Sequence, residues 1–252
     1  MNTKSRYLCG LDYLRQPPGE LETGFGLAHQ IAHQSTSKVL LTVTGKQNLD
    51  AIGPRLQAFH HSLSADNLWK IRGRNPDIMV SGDRDQRPYS WTGPILAVFP
   101  TPKTLNEIES IRDALAVIVV PWNDSDHIHT WQNTWNPTLI GNAVAKTATN
   151  LPSEPAQKAL HSLTLRVNLN NGLATYSDRE EAINVLNTLL HYDDSPDQES
   201  YRAWLVSKEG WPSDVADEAI DILNQLRAGK RLKGIRPPDK SRFDRWNATN
   251  MP

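Results

Sequence analysis

Residues 94–120, PILAVFPTPKTLNEIESIRDALAVIVV, decide the fold because they contain two apolar strands separated by a helical segment. The two ends, Ile95–Phe99 and Ala116–Val120, are apolar at every position, which is typical of strands buried on both faces of a sheet. Apolar residues recur at helical spacing between them: Leu105, Ile108 and Ile111. This pattern predicts a β-α-β unit with parallel strands and a right-handed crossover.

Similar segments lie on both sides of this unit. Val39–Val43 is another apolar strand, and Ile78–Val80 and Leu139-Ile140 are shorter candidates. Residues 1–15 are expected to be irregular, and a helix is expected to begin near Leu27 because two earlier glycines disfavour a helix. A further helical spacing over residues 49–63 is interrupted by Gly53-Pro54. We therefore predict an α/β fold, a Rossmann-like three-layer domain with a mostly parallel sheet, over residues 1–145.

The C-terminal part of the sequence is different, with strong helix signals after a proline-bearing linker at residues 146–157. Capping residues precede three amphipathic segments, near Ser177, Ser195 and Ser213. These segments predict a small three-helix module over residues 158–232. Residues 233–252 are expected to form a basic, flexible tail.

The net charge of −1 conceals a strong asymmetry. Residues 151–228 carry 6 Lys and Arg against 13 Asp and Glu, whereas residues 229–252 carry 7 against 2. A basic tail can neutralise the phosphates of a nucleic acid. The candidate nucleic-acid-binding residues are Lys230, Arg231, Lys233, Arg236, Lys240 and Arg242. The alternative is that the tail folds back onto acidic residues between 193 and 221.

Composition excludes several classes of protein. The single cysteine, Cys9, forms no intramolecular disulfide and no cysteine-based zinc site. No apolar run approaches the ~18 residues of a membrane span, and the N-terminus lacks the apolar core of a signal peptide. We therefore expect a soluble cytoplasmic protein that has no membrane partner.

Polar residues follow the predicted strands, and the carboxyl ends of parallel strands share one edge of a sheet, where ligands of open α/β sheets bind. Two of these residues are lysines close to helix starts, which suits an anion such as a phosphate. The candidate ligand-binding residues are Lys46, Thr101, Lys103, Asp124, Asp126 and His127.

Better-defined motifs are absent from the sequence. Thr44-Gly45-Lys46 lacks the first glycine and the final hydroxyl residue of a phosphate-binding loop. His29 and His33 share a helical face, but Gln30 stands where a zinc protease needs glutamate. No serine lies in a Gly-x-Ser-x-Gly turn. The sequence therefore predicts no metal, no cofactor and no identifiable catalytic residue.

One resemblance covers roughly a third of the chain. Residues 166–173, RVNLNNGL, with Ser177-Asp178-Arg179, Ala203-Trp204 and Gly210-Trp211, resemble the C-terminal part of an uncharacterised family of actinobacterial proteins. The resemblance implies a bacterial cytoplasmic protein. It transfers no catalytic residue, because that family has no assigned activity.

Three functional hypotheses follow. In the leading one, the chain is an intracellular binding or regulatory protein whose C-terminal module and tail contact a nucleic acid or a protein partner. In the alternative, it is an enzyme that acts on a phosphorylated small molecule or nucleotide at the strand ends. In the third, it is a structural subunit of a larger complex.

Overall fold

The computed structural model describes residues 4–11, 19–44, 52, 55, 78–82, 90–143, 151–194 and 196–248. The chain divides into two compact units, residues 1–147 and residues 148–252. Among the described residues, no helix has the length and apolar character needed to cross a lipid bilayer.

The first unit contains a six-stranded sheet in the order β3-β2-β4-β5-β1-β6. Every pair of neighbouring strands is parallel. The strands are β1 Ser5–Cys9, β2 Val39–Val43, β3 Ile78–Gly82, β4 Pro94–Val98, β5 Ala116–Val120 and β6 Thr138–Ile140. The predicted α/β class with a mostly parallel sheet is confirmed.

Helices cover both faces of this sheet: α1 Glu20–Gln34, α2 Pro102–Ser110 and α3 Asp126–Trp135. Alternate strand residues enter two separate cores, as the period of two requires. Leu41 and Val43 of β2 pack in the core that contains α1. Leu40 packs in the opposite core, with residues of α2 and α3. The unit is therefore a three-layer structure with α1 on one face.

Two elements differ from the sequence expectation. The N-terminal segment forms β1 rather than an irregular stretch. The first half of β1 is only partly buried, so its residues need not be apolar. The strand therefore lacks the apolar run that identifies β4 and β5. Helix α1 begins at Glu20 rather than near Leu27. A Cβ at Gly24 would lie 2.9 Å from both Cys9 Sγ and Val120 Cγ2, so glycine lets the helix approach the sheet closely. The helix predicted over residues 49–63 lies outside the described residues, apart from Ile52 and Arg55.

A buried charged cluster lies at the amino end of the sheet. Glu109, at the end of α2, accepts hydrogen bonds from Arg6 Nη2 at 3.0 Å and from the Trp131 indole at 3.0 Å. Lys4 lies 3.4 Å from the same carboxylate and donates to two carbonyls at the end of α2. Burial lowers the pKa of Lys4, and Glu109 opposes that shift. One carboxylate therefore balances two cations that have little access to water.

The second unit is helical. Its helices within the described residues are α4 Glu154–Thr164, α5 Tyr176–Tyr192, α6 Gln198–Ser207, α7 Ser213–Arg227 and α8 Lys240–Asn247, with a 3-10 turn at Leu169–Asn171. The three segments recognised in the sequence correspond to α5, α6 and α7. Helix α4 begins inside the segment expected to be a linker. Helix α8 lies inside the segment expected to be a flexible tail.

The residues before α8 are held along α5 by side-chain amides. Asn184 Nδ2 donates to the Gly234 carbonyl at 3.3 Å, and Asn184 Oδ1 accepts from the Arg236 amide at 2.8 Å. Asn187 Nδ2 donates to the Arg236 carbonyl at 2.9 Å. Trp246 then anchors α8, with only 4% of its surface exposed. We call residues 229–248 the strap.

Removing the Glu109 carboxylate should destabilise the first unit. Glu109→Ala leaves Lys4 and Arg6 buried without their counter-charge, a change that typically costs about 3–5 kcal/mol. The matched control is Glu107→Ala on the same helix, because Glu107 lies 3.8 Å from an exposed lysine and such pairs contribute about 0–1 kcal/mol. Urea denaturation of the full chain measures both changes. Equal losses of stability in the two variants would contradict the role given to the buried cluster.

Truncating Trp246 should release the strap. A buried Trp→Ala change typically costs about 3–5 kcal/mol, so amide hydrogen exchange over residues 240–248 should become at least a hundredfold faster. Arg245→Ala is the control, because Arg245 is exposed on the same helix. Its expected change is within about 0.5 kcal/mol. Rapid exchange of α8 in the unaltered protein would show instead that the strap is not docked.

Candidate functional site

The chain leaves the sheet toward different faces after neighbouring strands. Helix α2 follows β4 and packs on one face, whereas Ile52, which follows β2, packs in the opposite core with α1. Since β2 and β4 are neighbours, their carboxyl ends form a topological switch point. The neighbours β5 and β1 form a second one, because α3 and α1 follow them on opposite faces. The ends of β4 and β5 therefore lie between two switch points.

An unusual backbone conformation marks the end of β4. Phe99 has a φ of +55°, in the left-handed region, which costs a non-glycine residue about 1–3 kcal/mol. Its amide donates to the Val120 carbonyl at 2.8 Å, and its carbonyl accepts from the Thr44 hydroxyl. The Phe99 ring meets the Trp122 ring edge-on, with centroids 4.9 Å apart. These contacts join the carboxyl ends of β2, β4 and β5.

The structure brings five of the six candidate ligand residues to the loops after β4 and β5 or to the first turns of α2 and α3, while Lys46 lies outside the described residues. His127 Nε2 lies 3.0 Å from the Pro100 carbonyl, so the two loops touch. The other side chains already have local roles. Thr101 accepts from the Thr104 amide as the cap of α2, Lys103 lies 3.8 Å from Glu107, and Asp124 lies 2.7 Å from His129 Nε2. Asp126 is exposed in the first turn of α3.

The pair of Ser125 and His127 has the residue types of a nucleophile and its base, but not the required proton arrangement. The Ser125 hydroxyl lies 3.3 Å from His127 Nε2. The same nitrogen contacts the Pro100 carbonyl at 3.0 Å. A carbonyl only accepts hydrogen bonds, so a hydrogen bond to Pro100 requires the tautomer with a proton on Nε2, which does not remove a proton from Ser125. The pair therefore gives no support to serine catalysis.

Carboxylates of the protein itself occupy the first turn of α1, where an anion would bind. The buried Glu20 accepts hydrogen bonds from the backbone amides of Gly10 at 3.3 Å and Asn142 at 2.9 Å. Any side chain at Gly141 would collide with this carboxylate. Glu22 caps the helix through the Gly19 amide at 3.0 Å. The sequence analysis missed both acids, although glutamate in a first helical turn is a recognisable capping signal.

A thiol nucleophile and a metal centre also lack structural support within the described residues. Burial, with a smaller contribution from Glu20, raises the pKa of the Cys9 thiol to about 12. The thiol is therefore protonated near neutral pH and unreactive. In the same described ranges, no three His, Cys, Asp or Glu side chains form a group that could hold a metal ion.

The six candidate nucleic-acid residues of the second unit separate into two groups. Arg236 pairs with Glu180 and Arg242 pairs with Glu181, which also lies 3.3 Å from Arg166. The strap thus folds back onto acidic residues, as the alternative hypothesis expected, but onto Glu180 and Glu181 rather than residues 193–221. The remaining four residues are exposed: Lys230, Arg231, Lys233 and Lys240.

An aromatic ring lies beside one of the exposed cations. Tyr176, the first residue of α5, is 57% exposed, and Lys233 Nζ lies 5.4 Å from its ring centroid. We name Tyr176, Lys230, Arg231 and Lys233 the basic patch. Among the residues that the structure describes, no carboxylate lies within salt-bridge distance of these three cations. Sequence reasoning missed Tyr176, because only the fold brings it next to residue 233.

Comparisons with known proteins give a family match for the second unit. A family model described as a domain of unknown function (DUF1889) matches residues 155–247. No curated protein and no solved structure matches the chain. The matched region begins in α4 and ends at the last residue of α8. The C-terminal part of this chain is therefore similar to an uncharacterised family, and the similarity includes the strap.

Proposed function

We propose that the chain is an intracellular binding protein that contacts single-stranded nucleic acid through the basic patch of its second unit. The observation that carries the proposal is the position of Lys233 over the half-exposed Tyr176 ring. A nucleobase can stack on an exposed aromatic ring, and nearby cations can neutralise the adjacent phosphates. An intracellular location fits a chain with a single cysteine.

The way the strap is held favours this use of its cations. Asn184 and Asn187 fix the backbone at Gly234 and Arg236 before any ligand binds. Binding therefore has to order less of this segment, which lowers the entropy cost of forming a complex. Glu180 and Glu181 are engaged by Arg236, Arg242 and Arg166. The cations of the basic patch therefore face solvent on an ordered segment, and no carboxylate of the described residues pairs with them.

Charge asymmetry in the second unit supports the same orientation. Acidic residues are concentrated over positions 193–221, in the segment from the end of α5 into α7. A polyanion is repelled by that segment and attracted by residues 230–233. The expected complex therefore forms on the strap, with little sequence preference, because flexible cations contact phosphates more than base edges.

Salt dependence tests the phosphate contacts. Three contacts on a single strand predict a slope of about −2 for the logarithm of affinity against the logarithm of salt concentration. Raising the salt concentration fourfold should then weaken binding by roughly twentyfold. Fluorescence anisotropy of the full chain with a labelled single-stranded oligonucleotide measures this slope. The variant Lys230→Ala/Arg231→Ala/Lys233→Ala should lose most of the affinity, and its remaining affinity should depend little on salt concentration.

Two further variants distinguish binding at the basic patch from general electrostatic attraction to the second unit. Tyr176→Ala should weaken single-strand binding by roughly 5- to 150-fold, the range for losing one base–aromatic stack, and should affect duplex binding less. Lys208→Ala removes an exposed cation of the same unit, at the end of α6, and should leave affinity nearly unchanged. Equal losses from Lys208→Ala and from the patch variants would refute the proposal, as would binding that is insensitive to salt.

A further inference from the structure

Arg179 is an exposed cation one helical turn along α5 from Tyr176. Residues three or four apart on a helix are neighbours on its surface. At this spacing the other neighbours of Arg179 are Thr175, Ala182 and Ile183, so no helical neighbour is acidic. Among the residues that the structure describes, no carboxylate lies within salt-bridge distance of the guanidinium. The charge of Arg179 is therefore available to a ligand.

The position of Arg179 favours an anion more than it favours the helix. Arg179 is the fourth residue of α5, and the helix dipole disfavours a cation in the first turn. The same dipole attracts an anion to this end of the helix. Asp178, the acid of the first turn, is buried with 8% of its surface exposed. A phosphate at this turn therefore meets an exposed cation and the positive end of the dipole.

The strap and Arg179 lie on different sides of Tyr176. The strap passes close to Glu180, because a Cβ at Gly234 would lie 3.1 Å from Glu180 Cγ and 3.4 Å from Tyr176 Oη. Seen along α5, Glu180 is rotated from Tyr176 by about 40° in one direction and Arg179 by about 60° in the other. The Tyr176 ring thus lies between Lys233, which belongs to the strap, and Arg179.

We propose that Arg179 binds a phosphate of the same strand that stacks a base on Tyr176, on the side of the ring away from the strap. This inference rests on the proposed function and adds a fourth phosphate contact to it. Phosphates flank each base of a strand on both sides, so cations on two sides of one ring suit a continuous strand. The ligand is therefore a single strand of several nucleotides rather than a mononucleotide, and it crosses the first turn of α5.

The test is fluorescence anisotropy of the full chain with a labelled oligothymidylate at several salt concentrations. The three contacts of the basic patch alone give a slope of about −2, and Arg179 adds about −0.7. A fourfold rise in salt concentration should then weaken binding roughly fiftyfold for the unaltered chain and roughly twentyfold for Arg179→Ala. With equal affinity at 1 M salt, Arg179→Ala should bind roughly eightfold more weakly at 50 mM salt.

Two variants and one competitor define what Arg179 contributes. Arg179→Lys should keep the salt slope and most of the affinity, because a phosphate contact needs the positive charge rather than the guanidinium plane. Lys208→Ala, which removes an exposed cation at the end of α6, should bind as the unaltered chain does. Thymidine monophosphate should compete poorly with the oligothymidylate, because it cannot bridge the two sides of the ring.

The outcomes separate this inference from the function on which it rests. If the variants of the basic patch lose binding while Arg179→Ala keeps the affinity and slope of the unaltered chain, the proposed function stands and the role of Arg179 is refuted. Equal losses from Arg179→Ala and Lys208→Ala would also refute that role. If the variants of the basic patch bind as the unaltered chain does, the proposed function fails and the inference falls with it.

Discussion

Complete burial of both faces of β4 and β5 is the constraint on which the first unit depends. Every residue of these two strands is buried, so helices must cover the sheet on both sides. A chain that covers both faces with right-handed parallel crossovers has to leave at least one pair of neighbouring strands in opposite directions. The switch points, and the exposed loops beside them, follow from that requirement. The apolar strands thus fix where the switch points of the sheet lie.

The apolar pattern predicted the centre of this sheet but not its margins. β4 and β5 were recognisable because every residue in them is buried and apolar. α2 was recognisable because one side of the helix is buried and its apolar residues recur at helical spacing. β1 was not, because it carries Arg6, which is needed at the amino end of the sheet, where it binds Glu109. α1 was recognised only in part, because Gly24 reflects close contact with the sheet rather than a weak helix. In both cases, tertiary contacts outweighed local propensity.

The candidate sites, too, could be predicted only in part from the sequence. Shared strand ends placed Thr101, Asp124 and His127 in adjoining loops without any knowledge of the structure, since this follows from parallel topology alone. The ion pairs of Lys103 with Glu107 and of Asp124 with His129 were not predictable, because they depend on side-chain distances. For the strap, charge identified the cations, but the division between internally paired and exposed ones required the position of α5. The pairing of Tyr176 with Lys233 joins residues 57 positions apart in the chain.

Attachment of the strap through backbone groups has a consequence for how this surface can change. Asn184 and Asn187 bind backbone carbonyl and amide groups, so they fix the path of the chain at residues 234 and 236 independently of the side chains at positions 230–233. Substitutions at positions 230–233 can alter charge and shape without undocking the segment. Relatives that keep the two asparagines and the anchoring tryptophan could therefore present very different recognition surfaces on the same helical base, so divergence of function need not require divergence of fold.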